Sequence, residues 1–359
     1  MRGIDIFSGV GGMSTGAALA GIRTALSVEI DPYAAQTYAT NHPETNVVCA
    51  DIRTVDFSRY RSDEQTVLFG GPPCQGFSTS NQRTRNSDNP NNWLFTHFLR
   101  AIGEINPQWV VFENVKGIAE TENAKFLDYV VRGLEQQHYE VNCAILNAKD
   151  FGVPQKRSRL FVVASQEKGA FCFPKPSTLH LTTVKDAISD LPYLENGASI
   201  DLLPYGAKPL SSYSKKMRVR QRSVTGNLVT NNAPWILDRY AHIPQGGNWQ
   251  DIPPELVSNY KDISRCHTGI YKRLEWDEPS VTIGNFRKNM LVHPNQNRGL
   301  SVREAARLQS FPDWYIFSGS IGFQQQQVGN AVPPLLAKAM FSSIMEAASL
   351  EQIFRSAAE

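Results

Sequence analysis

Near its start the chain reads Gly3-Ile4-Asp5-Ile6-Phe7-Ser8-Gly9-Val10-Gly11-Gly12-Met13, an apolar run that passes through a glycine-rich loop. The run Gly3–Phe7 predicts a buried strand, and a helix is expected to begin at Met13. Glycines at the end of a strand let the backbone approach a ligand closely. The loop departs from the dinucleotide-binding pattern GxGxxG, because Ser14 stands where the last glycine belongs. Alone, it is as typical of a structural turn as of a ligand site.

Short apolar runs alternate with amphipathic segments through the first half of the chain, a pattern typical of a doubly wound α/β sheet. The predicted strands are Gly3–Phe7, Thr24–Glu29, Asn46–Cys49, Thr66–Phe69, Trp109–Glu113, Tyr139–Leu146 and Arg159–Ala164. The predicted helices are Met13–Ala20, Tyr33–Asn41, Trp93–Ile105, Ser301–Gln309 and Pro333–Leu350. From Pro174 to about residue 300 the chain is rich in Pro, Asn, Gly and Ser, which predicts a second, irregular domain.

The amino-acid composition narrows the classes of protein to which this chain could belong. Hydrophobic residues make up 41% and charged residues 19% of 359, which argues against disorder. No apolar run approaches the roughly 20 residues that span a membrane, and an immediate strand predicts no signal peptide. Five cysteines without a CxxC pair favour a reducing cytoplasm over a disulfide framework or a zinc site. A net charge of +2 neither requires nor excludes a nucleic-acid partner.

Chemically versatile residues follow the ends of the predicted strands. They are Ser8–Gly12, Glu29, Asp51, Pro72–Ser78 and the pair Glu113-Asn114. In open α/β sheets, ligands bind outside the carboxyl ends of the strands, so we expect these groups in one crevice. Glu29 is suited to ribose hydroxyls and Asp51 to an adenine amino group, which together indicate an adenosine-containing cofactor. The alternative is a structural turn with two helix-capping acids.

The sharpest motif is Gly70-Gly71-Pro72-Pro73-Cys74-Gln75-Gly76-Phe77-Ser78. Two prolines stiffen the approach to Cys74, and glycines on both sides allow a tight, exposed turn. A cysteine among turn-forming and polar residues suits a thiolate nucleophile better than a core position. The motif therefore predicts nucleophilic catalysis.

Glu113 ends an apolar strand, so we expect burial to raise its pKa and let it donate a proton, with Asn114 fixing its orientation. Period-two alternation places Gln155, Arg157 and Arg159 on one face of the following strand. One of these arginines is expected to reach the crevice; the alternative is an edge-strand salt bridge.

Six motifs in this order resemble the bacterial DNA (cytosine-5) methyltransferases of restriction-modification type. The resemblance lies in Asp5–Gly12, Gly71–Ser78, Phe112–Val115, Gln155–Arg159, Arg303–Pro312 and Gln327–Pro334. It implies a Rossmann-like domain that binds S-adenosyl-L-methionine, releases S-adenosyl-L-homocysteine and needs no metal. Cys74 would add to C6 of a flipped-out cytosine while Glu113 binds N3 and the exocyclic amine. Arg159, with Arg157 nearby, would hold O2, and residues 75–92 would form a closing loop.

The resemblance also implies the cofactor contacts and the domain bounds. The implied cofactor residues are Phe7, Ser8, Gly9, Gly11, Gly12, Glu29, Ile30, Asp51, Ile52, Pro72, Asn330 and Val332. Residues 1–176 and 318–359 would form the catalytic domain, and residues 177–317 the target-recognition domain.

Double-stranded DNA is the implied partner, and the restriction-modification type implies a cognate restriction endonuclease as a second one. A monomer associated with the nucleoid in the bacterial cytoplasm is expected. The basic run Ser211–Arg222 suits phosphate contacts, although such runs more often form a solvated face. A second basic group is also a candidate for DNA contacts; its members are Lys261, Arg265, His267, Lys272 and Arg273.

Three rival functions stay open at this point. A tRNA cytosine methyltransferase would keep the chemistry and change the substrate, but the long middle region favours DNA reading. A catalytically silent DNA-binding homologue is disfavoured by intact Cys74, Glu113 and Arg159. A nicotinamide oxidoreductase is disfavoured because the glycine loop departs from the GxGxxG pattern at Ser14. Such an enzyme would also have no role for Cys74.

Overall fold

The computed structural model describes residues 1–73, 93–119, 125–167, 169, 171–176, 180–219, 221–258, 269–286 and 291–358, with backbone alone for 351–358. The chain divides into two compact units. Unit 1 comprises Met1–Asn147, Ser158–Pro176 and Pro334–Glu359, and unit 2 comprises Ala148–Arg157 and Ser177–Pro333.

Unit 1 is built on a seven-stranded sheet with the strand order β3-β2-β1-β4-β5-β7-β6. The strands are β1 (Arg2–Ile6), β2 (Arg23–Glu29), β3 (Asn46–Cys49), β4 (Thr66–Gly70), β5 (Trp109–Val115), β6 (Glu140–Asn147) and β7 (Ser158–Ser165). Strands β1 to β5 are parallel, and β7 is antiparallel to both β5 and β6. The doubly wound α/β prediction and all seven predicted strands are confirmed.

In the described part of unit 1, five α-helices pack beside the sheet or follow its strands. They are α1 (Gly12–Leu19), α2 (Pro32–Asn41), α3 (Leu94–Ile105), α4 (Lys125–Glu135) and the terminal helix Pro334–Ala358. The predicted end of the terminal helix at Leu350 is wrong, because the helix continues to Ala358. Helix α4 was not predicted, although Phe126, Val130 and Leu134 bury one face at helical spacing.

Strands β4 and β5 form the centre of the core. Every residue of β4 is buried, and so are the first six of β5. Strands covered on both faces read as continuous apolar runs, which is why these two were visible in the sequence. Each fully buried large apolar side chain contributes about 1.5–3 kcal/mol of hydrophobic stabilisation.

Unit 2 has short regular elements joined by long irregular segments, as predicted. They are α5 (Val184–Ile188), β8 (Leu203–Pro204), α6 (Ser212–Arg218), β9 (Ser223–Val224), α7 (Pro234–Ala241), α8 (Val302–Leu308) and α9 (Ile321–Asn330). The predicted capping box of Ser301 and Glu304 is present at the start of α8.

Buried ion pairs hold α8 in unit 2. Arg298 contacts both carboxylate oxygens of Glu304, at 2.8 and 2.7 Å. Arg307 contacts Asp313 at 2.5 Å and Asp190 at 3.1 Å. Since an unpaired buried charge is costly, each partner depends on the other.

Packing groups two segments differently from the predicted domains. Residues 148–157 and 318–333 were assigned to the catalytic domain and lie in unit 2. Gln155 shows the reason for the first, since its Nε2 donates to the Leu308 carbonyl at 3.1 Å and its Oε1 accepts from the Ile283 amide at 2.9 Å. The functional domain bounds stay a prediction.

No helix within the described ranges combines the length and apolar character needed to cross a membrane.

We predict that Gly16→Ala destabilises unit 1 by about 1–3 kcal/mol, the usual cost of overpacking. A Cβ at Gly16 would lie 2.4 Å from the Ala337 Cβ and 2.7 Å from the Pro334 carbonyl oxygen on the terminal helix. The measurement is urea unfolding. The control is Gly103→Ala on α3, where a Cβ would meet only Gln137 Oε1, at 3.4 Å. Equal midpoints for the two variants would show that α1 does not need this close approach.

Candidate active site

The loop after β1 takes backbone conformations that favour glycine. Phe7 has φ 58°, Gly9 φ 54° and Gly11 φ 82°. A Cβ at Gly11 would lie 2.8 Å from the Tyr38 ring and 3.0 Å from His42 Nε2. The chain thus leaves β1 through a tight loop and enters α1 at Gly12.

Ser14 explains why this loop departs from the dinucleotide pattern. Its hydroxyl donates to Asp5 Oδ2 at 2.6 Å and accepts from the Tyr38 hydroxyl at 2.6 Å. All three residues are buried, and they join β1, α1 and α2 beneath the loop. A glycine at position 14 would remove the centre of this network.

Burial raises the pKa of the Asp5 carboxyl to about 8, opposed by the hydrogen bond from Ser14 and reinforced by the charge of Glu29. Near neutral pH this carboxyl is therefore mostly protonated, which lowers the cost of burying it.

Glu29 ends β2 as predicted and is bound to backbone amides. Its Oε2 accepts from Gly9 at 2.7 Å, and its Oε1 accepts from Ile30 and Asp31, each at 2.9 Å. Burial raises the pKa of Glu29, while these hydrogen bonds lower it. Glu29 therefore fixes the glycine loop to the end of β2. A carboxylate has about four acceptor positions, so Oε2 keeps one for a ligand hydroxyl.

Asp51 follows β3 and caps the 3₁₀ turn Ile52–Thr54, which is the alternative that the sequence left open. Its carboxylate also accepts from Arg53 Nε at 2.9 Å, and these contacts lower the pKa of Asp51 to about 2. Ile30 is 65% exposed, whereas Ile52 is 6% exposed. Ile30 is thus an accessible apolar surface at the end of β2, and Ile52 belongs to the core.

Cys74 and residues 75–92 lie outside the described residues, but the entry to their loop is described. Asn114 Nδ2 donates to the Pro72 carbonyl at 3.0 Å, and this contact is buried. Asn114 thus fixes the backbone two residues before Cys74, and its expected orientation of Glu113 stays a prediction.

Glu113 and Arg159 form a buried ion pair, with 2.9 Å between Arg159 Nε and Glu113 Oε1 and side-chain exposures of 12% and 10%. A Cβ at Gly71 would lie 2.6 Å from Glu113 Oε2, so only glycine lets the loop pass this carboxylate. Burial lowers the pKa of Arg159, and the charge of Glu113 opposes that shift. The two side chains predicted to hold the base are thus adjacent to the start of the Cys74 loop.

Arg157 requires a correction. It belongs to unit 2, where its guanidinium donates to the carbonyls of Ile283, Gly329 and Ala331 at 2.6, 3.0 and 2.9 Å. These three bonds engage both terminal nitrogens, so we assign Arg157 a structural role in place of a catalytic one. The predicted alternation does not extend to Gln155 and Arg157, because β7 begins at Ser158 and both residues precede it.

Asn330 and Val332 also lie in unit 2. Asn330 is exposed at the end of α9, and Val332 is buried just before the terminal helix begins. Their contact with the cofactor stays a prediction.

The basic run Ser211–Arg222 divides by burial. Lys215, Lys216 and Arg222 are exposed. Arg218 contacts Asp190 at 2.7 Å and stacks on the Tyr205 ring at 3.6 Å. Position 220 is not among the described residues.

The second basic group is partly structural. Arg273 is buried and donates to the Ile243 carbonyl at 2.6 Å and the His293 carbonyl at 2.8 Å. Lys272 donates to the Gly246 carbonyl, while residues 261, 265 and 267 lie in an undescribed stretch. No cluster of His, Cys, Asp or Glu in the part of the chain that is described could hold a metal ion.

A family model described as C-5 cytosine-specific DNA methylase matches residues 1–346. The chain belongs to this family. It is 37% identical to the type II methyltransferase M1.HphI of Haemophilus parahaemolyticus, over 96% of this chain and 86% of the relative. It is 33% identical to the type II methyltransferase M.DdeI of Desulfomicrobium norvegicum, over 96% and 88%.

A solved structure supports the same assignment. It is described as a DNA modification methyltransferase encoded within an Escherichia coli prophage, and it matches with a TM-score of 0.79 at 25% identity over 97% of this chain and 99% of its own. As a member of the C-5 cytosine methylase family, the chain is a DNA (cytosine-5) methyltransferase, which confirms the resemblance. The oxidoreductase and silent-binder alternatives are thereby set aside.

We predict that Asp5→Asn weakens the loss of stability that accompanies a rise in pH from 3.8 to about 8. With a pKa of 3.8 unfolded and about 8 folded, the native state binds the extra proton between these values. Stability therefore falls as pH rises through that window, by about 1.4 kcal/mol per pH unit. Urea unfolding at pH 6 and at pH 8 measures this change in the free energy of unfolding. The exposed Asp128→Asn should behave as wild type, and an equal decline in Asp5→Asn would contradict a protonated Asp5.

We predict that Arg157→Met and Arg159→Met separate stability from catalysis. Arg157→Met leaves three carbonyls without their donor and should cost about 3 kcal/mol or more, with turnover per folded molecule largely retained. Arg159→Met should lose turnover by about a hundredfold or more. Unfolding curves and methyl transfer by the folded fraction measure the two effects. A well-folded but inactive Arg157→Met would restore the catalytic assignment.

Proposed function

We propose that this enzyme transfers a methyl group from S-adenosyl-L-methionine to C5 of a flipped-out cytosine within a specific duplex sequence, through a covalent bond between Cys74 and C6. The observation that carries the proposal is the buried Glu113–Arg159 ion pair packed against Gly71. It presents a carboxylate and a guanidinium beside the backbone that leads to the predicted nucleophile.

The residues around the glycine loop fit the cofactor. Gly9 leaves open space beside the backbone, and Gly11 lets the loop pack against Tyr38. Glu29 Oε2 keeps acceptor capacity for a ribose hydroxyl, and the exposed Ile30 offers an apolar face to the adenine. When bound, S-adenosyl-L-methionine supplies an electrophilic methyl group. We assign Phe7, Ser8, Gly12 and Pro72 to this site. The cofactor contacts expected of Ile52, Asn330 and Val332 stay predictions. Asp51 would accept from the adenine amino group.

Cys74, Glu113 and Arg159 divide the chemistry. The Cys74 thiolate forms a bond to C6, and the electron pair of the C5–C6 double bond moves into the ring and makes C5 nucleophilic. Glu113 binds N3 and the exocyclic amine, and Arg159 binds O2, so both stabilise the charge that develops. Transfer of the methyl group would leave S-adenosyl-L-homocysteine. A water molecule would then accept the C5 proton, and expulsion of the Cys74 thiolate would restore the C5–C6 double bond.

The base must leave the duplex before this reaction, because C6 is stacked inside the helix. The partner is double-stranded DNA, and the exposed Lys215, Lys216 and Arg222 are suited to phosphate contacts. Both relatives named above are type II methyltransferases, which supports a role in restriction-modification beside a cognate endonuclease. We infer a monomer that acts on DNA in the bacterial cytoplasm.

We predict that the enzyme labels a mixed-sequence duplex with tritium from labelled S-adenosyl-L-methionine, on C5 of cytosine at one short sequence. Cys74→Ala should abolish transfer because no other group forms the C6 bond. Glu113→Gln should reduce kcat by about a hundredfold to ten-thousandfold, the range of a lost acid–base group. The measurement is label incorporation followed by base mapping.

A parallel reaction with tRNA controls for substrate class. Labelled tRNA with unlabelled duplex would contradict the DNA substrate, and equal label in wild type and Cys74→Ala would contradict the covalent mechanism.

A further inference from the structure

Helix α3 carries a charged pair that reaches across to the segment behind Asp51. Arg100 and Glu104 stand four residues apart, with 2.8 Å between Arg100 Nη1 and Glu104 Oε1. Both side chains are about one-third exposed, at 31% and 30%. Ion pairs of this spacing on a helix surface add only a few tenths of a kcal/mol to helix stability. The pair matters here because both side chains also bond to another segment of the chain.

Arg100 and Glu104 together hold three backbone groups of the segment 52–57. Arg100 Nη2 donates to the Ile52 carbonyl at 2.8 Å, and Nη1 donates to the Val55 carbonyl at 3.0 Å. Glu104 Oε2 accepts from the Phe57 amide at 2.9 Å. The Arg100 guanidinium also lies 5.5 Å from the centre of the Phe57 ring. The pair is therefore a clamp on this segment.

The clamped segment has weak bonding of its own. Its single 3₁₀ turn is closed by a bond of 2.9 Å from the Thr54 amide to the Asp51 carbonyl and by a long bond of 3.4 Å from the Val55 amide to the Ile52 carbonyl. Short 3₁₀ turns have poor hydrogen-bond geometry, so tertiary contacts decide their position. The strongest bond to the Ile52 carbonyl comes from Arg100.

The turn begins at Asp51, whose side chain is its N-cap. Any displacement of Ile52 is transmitted to Asp51 through one peptide unit. The segment leaves β3 and continues towards β4, and its Ile52, Val55 and Phe57 side chains pack into the core. The clamp adds hydrogen bonds from α3 to the backbone between these side chains.

We propose that Arg100, supported by Glu104, is a positioning residue that fixes Asp51 and Ile52 for recognition of the adenine of the cofactor. This inference rests on the proposed function, in which Asp51 accepts from the adenine amino group. Arg100 itself does not touch the cofactor. Replacing Arg100 should therefore change the relative affinity for cofactors with different bases, and it should not change the rate of methyl transfer to cytosine.

The test measures the binding of two ligands to the full chain by calorimetry. One is S-adenosyl-L-homocysteine. The other is its hypoxanthine analogue, in which a carbonyl oxygen replaces the 6-amino group. Wild type should bind the adenine ligand about tenfold more tightly than the hypoxanthine analogue. With adenine, the Asp51 carboxylate faces the 6-amino donor, whereas with hypoxanthine it faces a carbonyl oxygen. Arg100→Met should reduce this preference by about fivefold, since loss of the clamp lets Asp51 move.

Two further variants separate the clamp from general stability. Arg132→Met removes a pair of the same spacing on α4, where Arg132 contacts Asp128 at 3.0 Å at the surface, and it should keep the wild-type preference. Arg100→Lys keeps the charge, but one ammonium cannot bond both carbonyls in the geometry of a guanidinium, so an intermediate preference is expected. It also provides a measurement if Arg100→Met does not fold. With saturating S-adenosyl-L-methionine, kcat of Arg100→Lys should stay within about threefold of wild type.

The outcomes distinguish the inference from the proposed function. A wild-type preference that persists in both Arg100 variants would overturn the clamp and leave the proposed function standing. A wild type that binds neither ligand, or binds both equally, would overturn the adenine role of Asp51, and the inference with it. A reduced preference in Arg132→Met equal to that in Arg100→Met would also overturn the specific role of Arg100.

Discussion

The register between β5 and β7 is the constraint on which the active site depends. In this antiparallel pair Val115 lies opposite Arg159, and Glu113 lies opposite Phe161, so Glu113 and Arg159 are diagonal neighbours on one face. A slip of one residue would turn one of the two side chains to the other face and leave two buried charges unpaired. Breaking a buried ion pair lowers the free energy of unfolding by about 3–5 kcal/mol. The Glu113–Arg159 pair therefore stabilises this register over the shifted one, in addition to forming part of the site. The reversal of β7 within a parallel sheet is what brings an arginine to the carboxyl end of β5.

Much of unit 1 could be predicted from sequence because its signals are local. The strands are runs of four to eight residues, and the glycines, prolines and acids that follow them mark the functional edge. Glu29 and Glu113 were found in this way, since Glu29 ends β2 and Glu113 lies two residues before the end of β5. Asp51 was found too, but the sequence could not separate a helix cap from a ligand contact, and in the structure it caps a turn.

The missed features depend on contacts between distant residues. Arg157 looks like Arg159 in an alternating pattern, yet its guanidinium lies among carbonyls from positions 283, 329 and 331. Arg218 looks like its exposed neighbours, yet it is held by Asp190 and Tyr205. A count of basic residues therefore overstates the cationic surface of unit 2, where arginines act as internal cross-links. Nothing in the local sequence states which arginine will be used in this way.

The packing of Gly16 against the terminal helix has a consequence for the order of events on the ribosome. Helix α1 and its partner are separated by roughly 300 residues, and synthesis proceeds at about 5–20 residues per second. The helix that follows the glycine loop must therefore wait about 15 to 60 seconds for the surface that covers it. During that interval the sheet can form, but the small-residue face of α1 stays open to water and to chaperones. A nascent chain can thus have its central strands paired long before the glycine loop between β1 and α1 takes the conformation that would bind the cofactor.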